Sequence, residues 1–428
     1  MATDNTKLAI LGGSPIIKKQ FKKYNSIGLE EMNASIEVLK TGVLSKYIGA
    51  DHEDFNGGPK VKEFERDLEK FYSVKHAITV NSWTSGLIVA IGSLDLEPGD
   101  EVIVPCWTMC ATATAILHWN LIPVFADIEL STYNIDIDSI KKNISHKTKA
   151  IMAVDIGGHP CDINSIKKIA DEHDLKIICD SAQSPGATYK GKLAGTVTDI
   201  GGFSLNYHKH IHTGEGGILV TNNDHLAERM RLIRNHGEAA VEGRKTKNIN
   251  NIIGYNFRLG EIECAIGIEQ LKKLKGLINT RQKIAEKITK TLQNLKGIIT
   301  PTVFNSCTHV YYMYFMQLEI DKLGVSRDAI YDALEAEGVQ GLAKKFANLH
   351  LLPMYQKKIA YGKNGFPWTA EFARKEVSYE KGICPNAELL HDKTYLGFQM
   401  CMFEMDDEEV ELLLSAFKKV WNNLDKIK

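Results

Sequence analysis

The sequence lacks the features that mark several large classes of protein. Lys plus Arg number 52 and Asp plus Glu 53, which leaves a formal net charge of −1. Without a basic surplus, we do not expect the chain to bind nucleic acid or anionic membranes. No run approaches the ~18 consecutive apolar residues that a transmembrane helix needs. The first residues lack the basic start and the apolar stretch of a signal peptide. We therefore expect a cytoplasmic protein with neither nucleic-acid nor membrane partners.

Cysteine pairs and the common phosphate-binding and hydrolase motifs are also missing. The eight cysteines form no CxxC pair and no zinc-ribbon spacing, which predicts reduced thiols. The phosphate loops of kinases and dehydrogenases are absent, as are HExxH and GxSxG. Internal repeats, low-complexity tracts and long Pro- or Ser-rich linkers are absent too. The chemistry of this chain must therefore be sought in other residues.

An ordinary globular composition is spread over a long chain. The 428 residues are 44% hydrophobic and 25% charged, and this length favours two domains over one. From residue 60 to 260, short apolar runs alternate with amphipathic helices, which is typical of a mostly parallel sheet in an α/β domain. The predicted strands are His76–Val80, Glu101–Val104, Ile122–Phe125, Ala150–Val154, Lys176–Cys179 and Ile218–Thr221. The predicted helices are Ser85–Leu94, Cys110–Trp119, Asn164–Asp171 and Leu226–Ile233.

The hydrophobic pattern changes after residue 275. A helix predicted at Glu261–Leu274 is followed by a long polar helix at Asn279–Leu295. The later predicted elements are strands at Tyr311–Leu318 and Leu396–Phe403 and helices at Ser326–Glu337 and Asp406–Leu424. We predict a large α/β domain over residues 1–275, including an N-terminal arm, and a smaller α+β domain over residues 276–428.

The strongest constellation of reactive residues lies in the middle of the chain. Asp180 ends a predicted strand, where open α/β sheets bind ligands. Gln183, Ser204 and Lys209 follow, and a glycine turn at Thr213–Gly217 enters the next strand. Each has an ordinary explanation alone, such as a helix cap or a simple turn. Together they fit pyridoxal phosphate, a carbonyl cofactor attached to Lys209. Asp180 would keep its ring nitrogen protonated, so that the ring acts as an electron sink. Ser204 would hold the phosphate, and Gln183 would donate to the ring hydroxylate.

This run of residues resembles the DegT/StrS family of sugar aminotransferases, which are fold-type-I pyridoxal phosphate enzymes of sugar and polysaccharide biosynthesis. In that family a serine precedes the cofactor-binding lysine by five residues, and Ser204 precedes Lys209 by five. The resemblance extends from Gly57–Glu65 to the C-terminal helix. It implies a large domain with a mostly parallel sheet, a small C-terminal α+β domain, and Lys209 as the catalytic base.

Two further segments resemble parts of the family's cofactor site. Asn81–Leu87, which contains Thr84 and Ser85, resembles the strand–turn–helix that cradles the phosphate, although simple helix capping by Thr84 uses the same groups. Asn256 lies in a segment that resembles the one whose asparagine reaches the phosphate of the neighbouring subunit. The resemblance therefore implies a homodimer with shared active sites.

The same resemblance suggests substrate-binding residues, and it has two departures. Arg258, His309 and Tyr311 are implied to approach the sugar, although an ordinary alternating strand explains the last two equally well. Trp83 stands where a small residue is usual in the phosphate turn. Met109 stands where an aromatic usually stacks on the pyridine ring, and we expect Met109 to pack there through its thioether.

We predict a pyridoxal phosphate-dependent aminotransferase. It would move an amino group from glutamate or glutamine to the ketone of a nucleotide-linked sugar, a cyclitol or a small phosphorylated ketone. A dehydratase of the same family, in which His replaces the Lys, stays open, as does a non-enzymatic cofactor-binding regulator. A metal-dependent enzyme would use His208, His210 and His212, which would share one face of a strand. The five-residue spacing selects Lys209 and not His208 or His210, which argues against the dehydratase. Imidazoles that line a cofactor pocket explain the three histidines without an ion, so we predict no metal.

Overall fold

The computed structural model describes residues 6–428. Within this range the chain forms thirteen strands: β1 (His76–Val80), β2 (Glu101–Pro105), β3 (Ile122–Ala126), β4 (Thr148–Val154), β5 (Lys176–Asp180), β6 (Thr188–Tyr189), β7 (Lys192–Leu193), β8 (Ile200–Ser204), β9 (Gly217–Thr221), β10 (Ile298–Ile299), β11 (Tyr314–Leu318), β12 (Leu342–Ala343) and β13 (Tyr395–Phe398).

The same residues form thirteen α-helices: α1 (Leu29–Thr41), α2 (Pro59–Tyr72), α3 (Trp83–Ser93), α4 (Cys110–His118), α5 (Ile137–Asn143), α6 (Ile163–His173), α7 (Asp224–Arg234), α8 (Glu261–Leu292), α9 (Ile320–Leu323), α10 (Arg327–Ala336), α11 (Pro353–Gln356), α12 (Pro385–Leu389) and α13 (Asp407–Trp421). Across residues 6–428, none of the helices combines the length and the apolar character needed to cross a membrane.

Seven strands form the central sheet, in the order β1-β9-β8-β5-β4-β2-β3. β9 runs antiparallel to both of its neighbours, and the other four strand pairs are parallel. Val102, Ile103 and Val104 of β2 are completely buried, as expected for a sheet covered by helices on both faces. The predicted mostly parallel α/β sheet is confirmed. In the parallel β5–β8 pair Asp180 lies opposite Gly202, so Asp180 and Ser204 end at the same edge of the sheet.

A second, antiparallel sheet has the order β10-β11-β13-β12. Apolar residues of α8, α10 and α13 pack with it in a separate buried cluster. Leu8, Ile17 and Phe21 belong to that same cluster, so the N-terminal segment packs with the second sheet. The division of the chain into domains at residue 275 stays a prediction.

One continuous helix, α8, covers the region for which the sequence predicted two helices. That prediction, with an end at Leu274 and a new start at Asn279, was wrong. Leu274, Ile278 and Arg281 are all buried along α8, so its buried face continues across the expected break. A Cβ added at Gly276 would meet open space, and this exposed glycine does not interrupt the helix.

The strand that was predicted to begin at Tyr311 begins instead at Tyr314. The preceding residues form a loop in which the Val310 N–H donates to the Gly158 carbonyl at 2.9 Å. Tyr311 has a φ of 51°, which breaks the alternation of side chains that a strand would give. The loop therefore decides which side chains face Lys209.

The segment between β12 and β13, residues 344–394, had no predicted element. It contains α11, α12 and a short 3-10 turn at Leu349–Leu351. The rings of Tyr355 and Tyr379 pack edge-on against Phe125 of β3, at centroid distances of 5.0 and 5.4 Å. We call it the 344–394 segment, and it packs over the β2–β3 side of the central sheet.

Candidate active site

Lys209 lies in the loop between β8 and β9 with its side chain buried. Its Nζ stands 4.2 Å from the centroid of the Tyr312 ring. Burial lowers the pKa of Lys209 to about 8, although the negative charge of Asp180 opposes this shift. A much larger fraction of this amine is therefore neutral near pH 7 than for an exposed lysine, as a nucleophile or general base requires.

Asp180 ends β5, and its carboxylate is held by three donors. Oδ1 accepts from the Trp83 indole Nε1–H at 2.7 Å and from the Ala182 N–H at 3.2 Å. Oδ2 accepts from the Thr112 hydroxyl at 3.0 Å. Burial raises the pKa of Asp180, and these hydrogen bonds oppose that rise because they stabilise the charged form. The result is an oriented buried carboxyl within electrostatic reach of Lys209.

The start of α3 lies beside the end of β8. Ser82, not Thr84, caps the helix, because its Oγ accepts from the Ser85 N–H at 3.1 Å. Thr84 is exposed in the first turn. The predicted alternative of capping by Thr84 is therefore wrong, and both Thr84 and Ser85 lie at an N-terminus that suits an anion.

Close backbone packing joins Ser204 to this helix start. Ser204 pairs with Gly217 across the β8–β9 ladder. A Cβ added at Gly217 would lie 2.8 Å from backbone atoms of Ser82 and Trp83, so glycine permits this approach. The buried Ser204 hydroxyl accepts from the Asn206 N–H at 3.2 Å. The structure thus brings Ser204 near the predicted phosphate turn.

A cavity of about 780 Å³ opens beside Lys209, and Gln183, Met109 and Tyr312 line it. Gln183 Oε1 accepts from the Gly157 N–H at 2.7 Å, which orients the amide and presents its NH₂ group as the donor. Met109 precedes α4 and is 55% exposed, and its sulfur accepts from the Ala111 N–H at 3.0 Å. Met109 thus faces the cavity, and its packing on a cofactor ring stays a prediction.

Asn256 and Arg258 lie outside this cavity in the same chain. Asn256 is exposed and forms an isolated β-bridge with Asn235. The Arg258 Nε–H donates to Asn235 Oδ1 at 2.8 Å. Neither residue reaches the cavity that Lys209 lines, so their predicted roles stay predictions that depend on a second chain.

His309 and Tyr311 are also absent from the cavity lining, and Tyr312 takes their expected place. His309 is buried, and its Nδ1 accepts from the Tyr311 N–H at 2.9 Å. The Tyr311 ring stacks on His309 at 4.0 Å. The loop conformation places Tyr312 over Lys209, and the assignment of His309 and Tyr311 to the substrate stays a prediction.

The three histidines around Lys209 lie on a loop and not on a strand, so they do not share one face. His210 Nε2 bonds to the Val310 carbonyl at 2.8 Å, and His212 Nδ1 accepts from the Gly214 N–H at 3.3 Å. Burial, with the nearby Lys209 charge, lowers the pKa of His208 to about 4. Among residues 6–428, His208, His210 and His212 do not form a group that could hold one metal ion. The predicted shared strand face, on which the metal-dependent alternative relied, was wrong.

Three residues of this site were missed from the sequence as functional groups. Thr112 lies in α4, and no local motif connects it to Asp180. Tyr312 lies next to Tyr311, which was predicted instead because an alternating strand would place Tyr311 and Tyr312 on opposite faces. Trp83 was noted only as a departure from the small residue that is usual in the phosphate turn. Its indole N–H could have suggested a hydrogen bond to the carboxylate of Asp180.

The sequence and fold match known aminotransferases. Residues 48–382 match the DegT/DnrJ/EryC1/StrS aminotransferase family. The spore coat polysaccharide biosynthesis protein SpsC of Bacillus subtilis is 34% identical over 82% of this chain and 89% of that protein. A GDP-perosamine synthase of Caulobacter vibrioides is 35% identical over 70% of this chain and 79% of that protein. An aminotransferase structure from Psychrobacter cryohalolentis has a TM-score of 0.80 at 27% identity, covering 95% of this chain and 100% of that chain.

These matches agree with the geometry around Lys209 and Asp180. The structural likeness confirms the predicted fold-type-I class with its mostly parallel sheet. The matched residues include strands β1 through β12, and they contain every residue of the site named above. The chain belongs to the DegT/DnrJ/EryC1/StrS family of pyridoxal phosphate-dependent sugar aminotransferases.

Proposed function

We propose that this enzyme transfers an amino group from glutamate or glutamine to the ketone of a nucleotide-linked sugar. The observation that carries the proposal is a buried Lys209, with its pKa lowered to about 8, beside the oriented carboxyl of Asp180. The names of two relatives, a GDP-perosamine synthase and a polysaccharide biosynthesis protein, support a sugar acceptor. We propose a cytoplasmic location, since eight free thiols suit a reducing compartment.

Residues suited to each part of pyridoxal phosphate stand around Lys209. The N-terminus of α3 and the Ser204 hydroxyl suit the phosphate. They can lie close together because Gly217, which pairs with Ser204, has no side chain to contact the start of α3. Asp180 suits the protonated ring nitrogen, and the Gln183 NH₂ group suits the ring hydroxylate. When bound, the cofactor supplies an electron sink for the carbanion that forms when the substrate loses a proton.

Lys209, Tyr312 and Asp180 then have separate roles in the reaction. Lys209 Nζ would act as the base that moves a proton between the substrate carbon and the C4′ carbon of the cofactor. The Tyr312 ring covers this amine, which keeps its position fixed and excludes water from one side. Asp180 holds a negative charge in place through its three donors, so no reorganisation is needed during the reaction.

The cavity favours a nucleotide-linked sugar over the smaller acceptors. Its volume of about 780 Å³ is in the range of sites for drug-sized ligands, and it must hold the cofactor together with the acceptor. Lys345 adds a second ammonium group to the lining, and this charge suits a diphosphate. Phe346 and Leu349 supply apolar surface on the same wall.

We further propose that two chains form a homodimer with shared active sites. α1 carries a stripe of exposed apolar side chains, with Leu29 70%, Met32 49%, Ile36 47% and Leu39 54% exposed. Their spacing places them on one face of the helix, and an exposed apolar face of this kind is typical of a protein interface. Ile36→Glu is expected to shift the sedimentation coefficient from dimer to monomer and abolish activity. Glu37→Lys, off the stripe, is the matched control.

The half-reaction without acceptor tests the amino-donor assignment. Holoenzyme mixed with glutamate is expected to release one equivalent of 2-oxoglutarate per active site, and Lys209→Ala to release none. Glutamine in place of glutamate identifies the preferred donor. Absence of keto-acid release with both donors would contradict the proposal. A panel of nucleotide-linked keto sugars, scored for aminated product, then identifies the acceptor.

A further inference from the structure

Three metal-ligating side chains from distant parts of the sequence meet in the interior, away from Lys209. Cys106 follows β2, His350 lies in the 3-10 turn of the 344–394 segment, and Cys384 immediately precedes α12. All three residues are completely buried. The two sulfur atoms and one ring nitrogen of His350 lie within 4.8 Å of one another. This spacing permits all three to contact one ion.

His350 has a polar atom that the protein does not satisfy. Its Nε2 bonds to Glu388 Oε1 at 2.9 Å, and its Nδ1 is buried without a hydrogen-bond partner among the described residues. Glu388 is itself fixed by the Gly382 N–H at 2.7 Å. A carboxylate on one imidazole nitrogen orients the ring and makes the other nitrogen a better ligand, which is the usual outer contact of a metal-bound histidine.

We propose that Cys106, His350 and Cys384 form a structural zinc site. Two thiols and an imidazole are the donors that Zn²⁺ prefers, and binding releases the two thiol protons to solvent. Two thiolates balance the charge of Zn²⁺, so the ion and its sulfur ligands are neutral together, as a buried position requires. Both oxygens of the nearby Asp127 already accept from the Asn386 and Ala387 N–H groups, at 2.8 and 3.0 Å, so we assign the fourth position to a water molecule.

The site would fix two walls of the cavity beside Lys209. Cys106 leads into Thr108 and Met109, and both line the cavity. His350 follows Leu349, which also lines the cavity, and the Leu349 N–H donates to the Cys106 carbonyl at 2.9 Å. A metal shared by these two segments would hold the 344–394 segment on the end of β2. The proposal does not depend on the donor or acceptor of the enzyme.

Metal analysis of the intact holoenzyme tests the proposal. Protein purified with reductant, without chelator, and dialysed against limiting Zn²⁺ is expected to hold one equivalent of zinc per chain by mass spectrometry. Zinc is expected to fall below about a tenth of an equivalent in Cys106→Ala and Cys384→Ala. Cys264→Ala, a buried cysteine of α8, is the matched control and should keep the zinc.

X-ray absorption at the zinc edge keeps the test decisive if the variants do not fold. The wild-type spectrum is expected to contain two sulfur scatterers at ~2.3 Å and two lighter atoms at ~2.0–2.2 Å. Three results would each overturn the proposal: no zinc retained by the wild type, zinc bound only by nitrogen or oxygen, or full zinc content in both cysteine variants.

Discussion

The indole Nε1–H of Trp83 donates a hydrogen bond of 2.7 Å to Oδ1 of Asp180. The ring packs against β8 so closely that a Cβ on Gly202 would lie 2.1 Å from it. Trp83 is also the first residue of α3, the helix whose start suits the cofactor phosphate. One side chain therefore connects the helix start proposed for the phosphate with the carboxylate proposed for the ring nitrogen.

Trp83→Phe is expected to lower turnover about tenfold, because it removes one hydrogen bond to a charged group and keeps the ring. The Trp83 hydrogen bond lowers the pKa of Asp180, so its loss raises that pKa. The acid limb of the kcat profile should therefore move to higher pH. Trp119→Phe removes an indole hydrogen bond to the Ile88 carbonyl and should leave the profile unchanged. An unshifted profile in Trp83→Phe would show that Trp83 only packs.

Asp180→Asn is expected to lower turnover by at least ~10²-fold, as for the loss of one preorganised electrostatic group. The amide keeps the shape of the carboxyl and one acceptor oxygen, but it loses the charge and places a donor NH₂ group where the second oxygen accepted. Steady-state rates with saturating cofactor measure the effect, and circular dichroism checks the fold. Rates close to those of the wild type would mean that Asp180 is only structural.

The pH dependence of cofactor uptake should report the amine of Lys209. Its pKa is lowered to about 8, so uptake by cofactor-free protein should rise with a midpoint near pH 8 as the neutral amine forms. Asp180 raises this pKa by its charge, so Asp180→Asn should move the midpoint to lower pH. A midpoint above pH 10 in the wild type would mean that Lys209 is not buried as described.

Borohydride reduction should fix the cofactor on Lys209 alone. The purified protein is expected to be yellow, and peptide mapping after reduction should find the label on the peptide that contains Lys209. Lys209→Ala should lose turnover completely, since the base is removed. A label on another lysine would overturn the assignment of the site.

Mixed dimers test whether Asn256 serves the partner's site. Asn256→Ala alone must first prove strongly impaired. When Lys209→Ala and Asn256→Ala chains exchange, a contact across chains gives each mixed dimer one site with both lesions and one with neither. Activity should then reappear. If Asn256 serves its own chain, every site keeps one lesion and no activity returns.

The sequence predicted the parts of the molecule that depend on local pattern. Hydrophobic runs predicted six of the seven strands of the central sheet, and spacing singled out Asp180, Ser204 and Lys209. The seventh strand, β8, was not predicted, because its two glycines interrupt the apolar run. The single helix α8 was missed because the hydrophobic pattern changes after residue 275, although one buried face continues along the helix. Tyr312 was missed because the positive φ of Tyr311 reverses strand alternation, and no residue type announces that conformation.

Long-range contacts were beyond the reach of sequence patterns. Thr112 meets Asp180, and Cys106 meets His350 and Cys384, only after the sheet and the 344–394 segment have packed. Zinc ligands that lie far apart in the chain form no spacing motif. Such sites are set by topology, so they are recognised only once the fold is known.

Transfer of labelled nitrogen from the amino donor to the keto sugar is the decisive test of the proposed aminotransferase activity. Holoenzyme is mixed with glutamate or glutamine labelled with ¹⁵N at the amino group and with a nucleotide-linked keto sugar, and the product is examined by mass spectrometry. The account predicts an amino sugar that carries the label in one-to-one ratio with the keto acid released. A deoxygenated sugar without ¹⁵N would identify a dehydratase and contradict the proposed function.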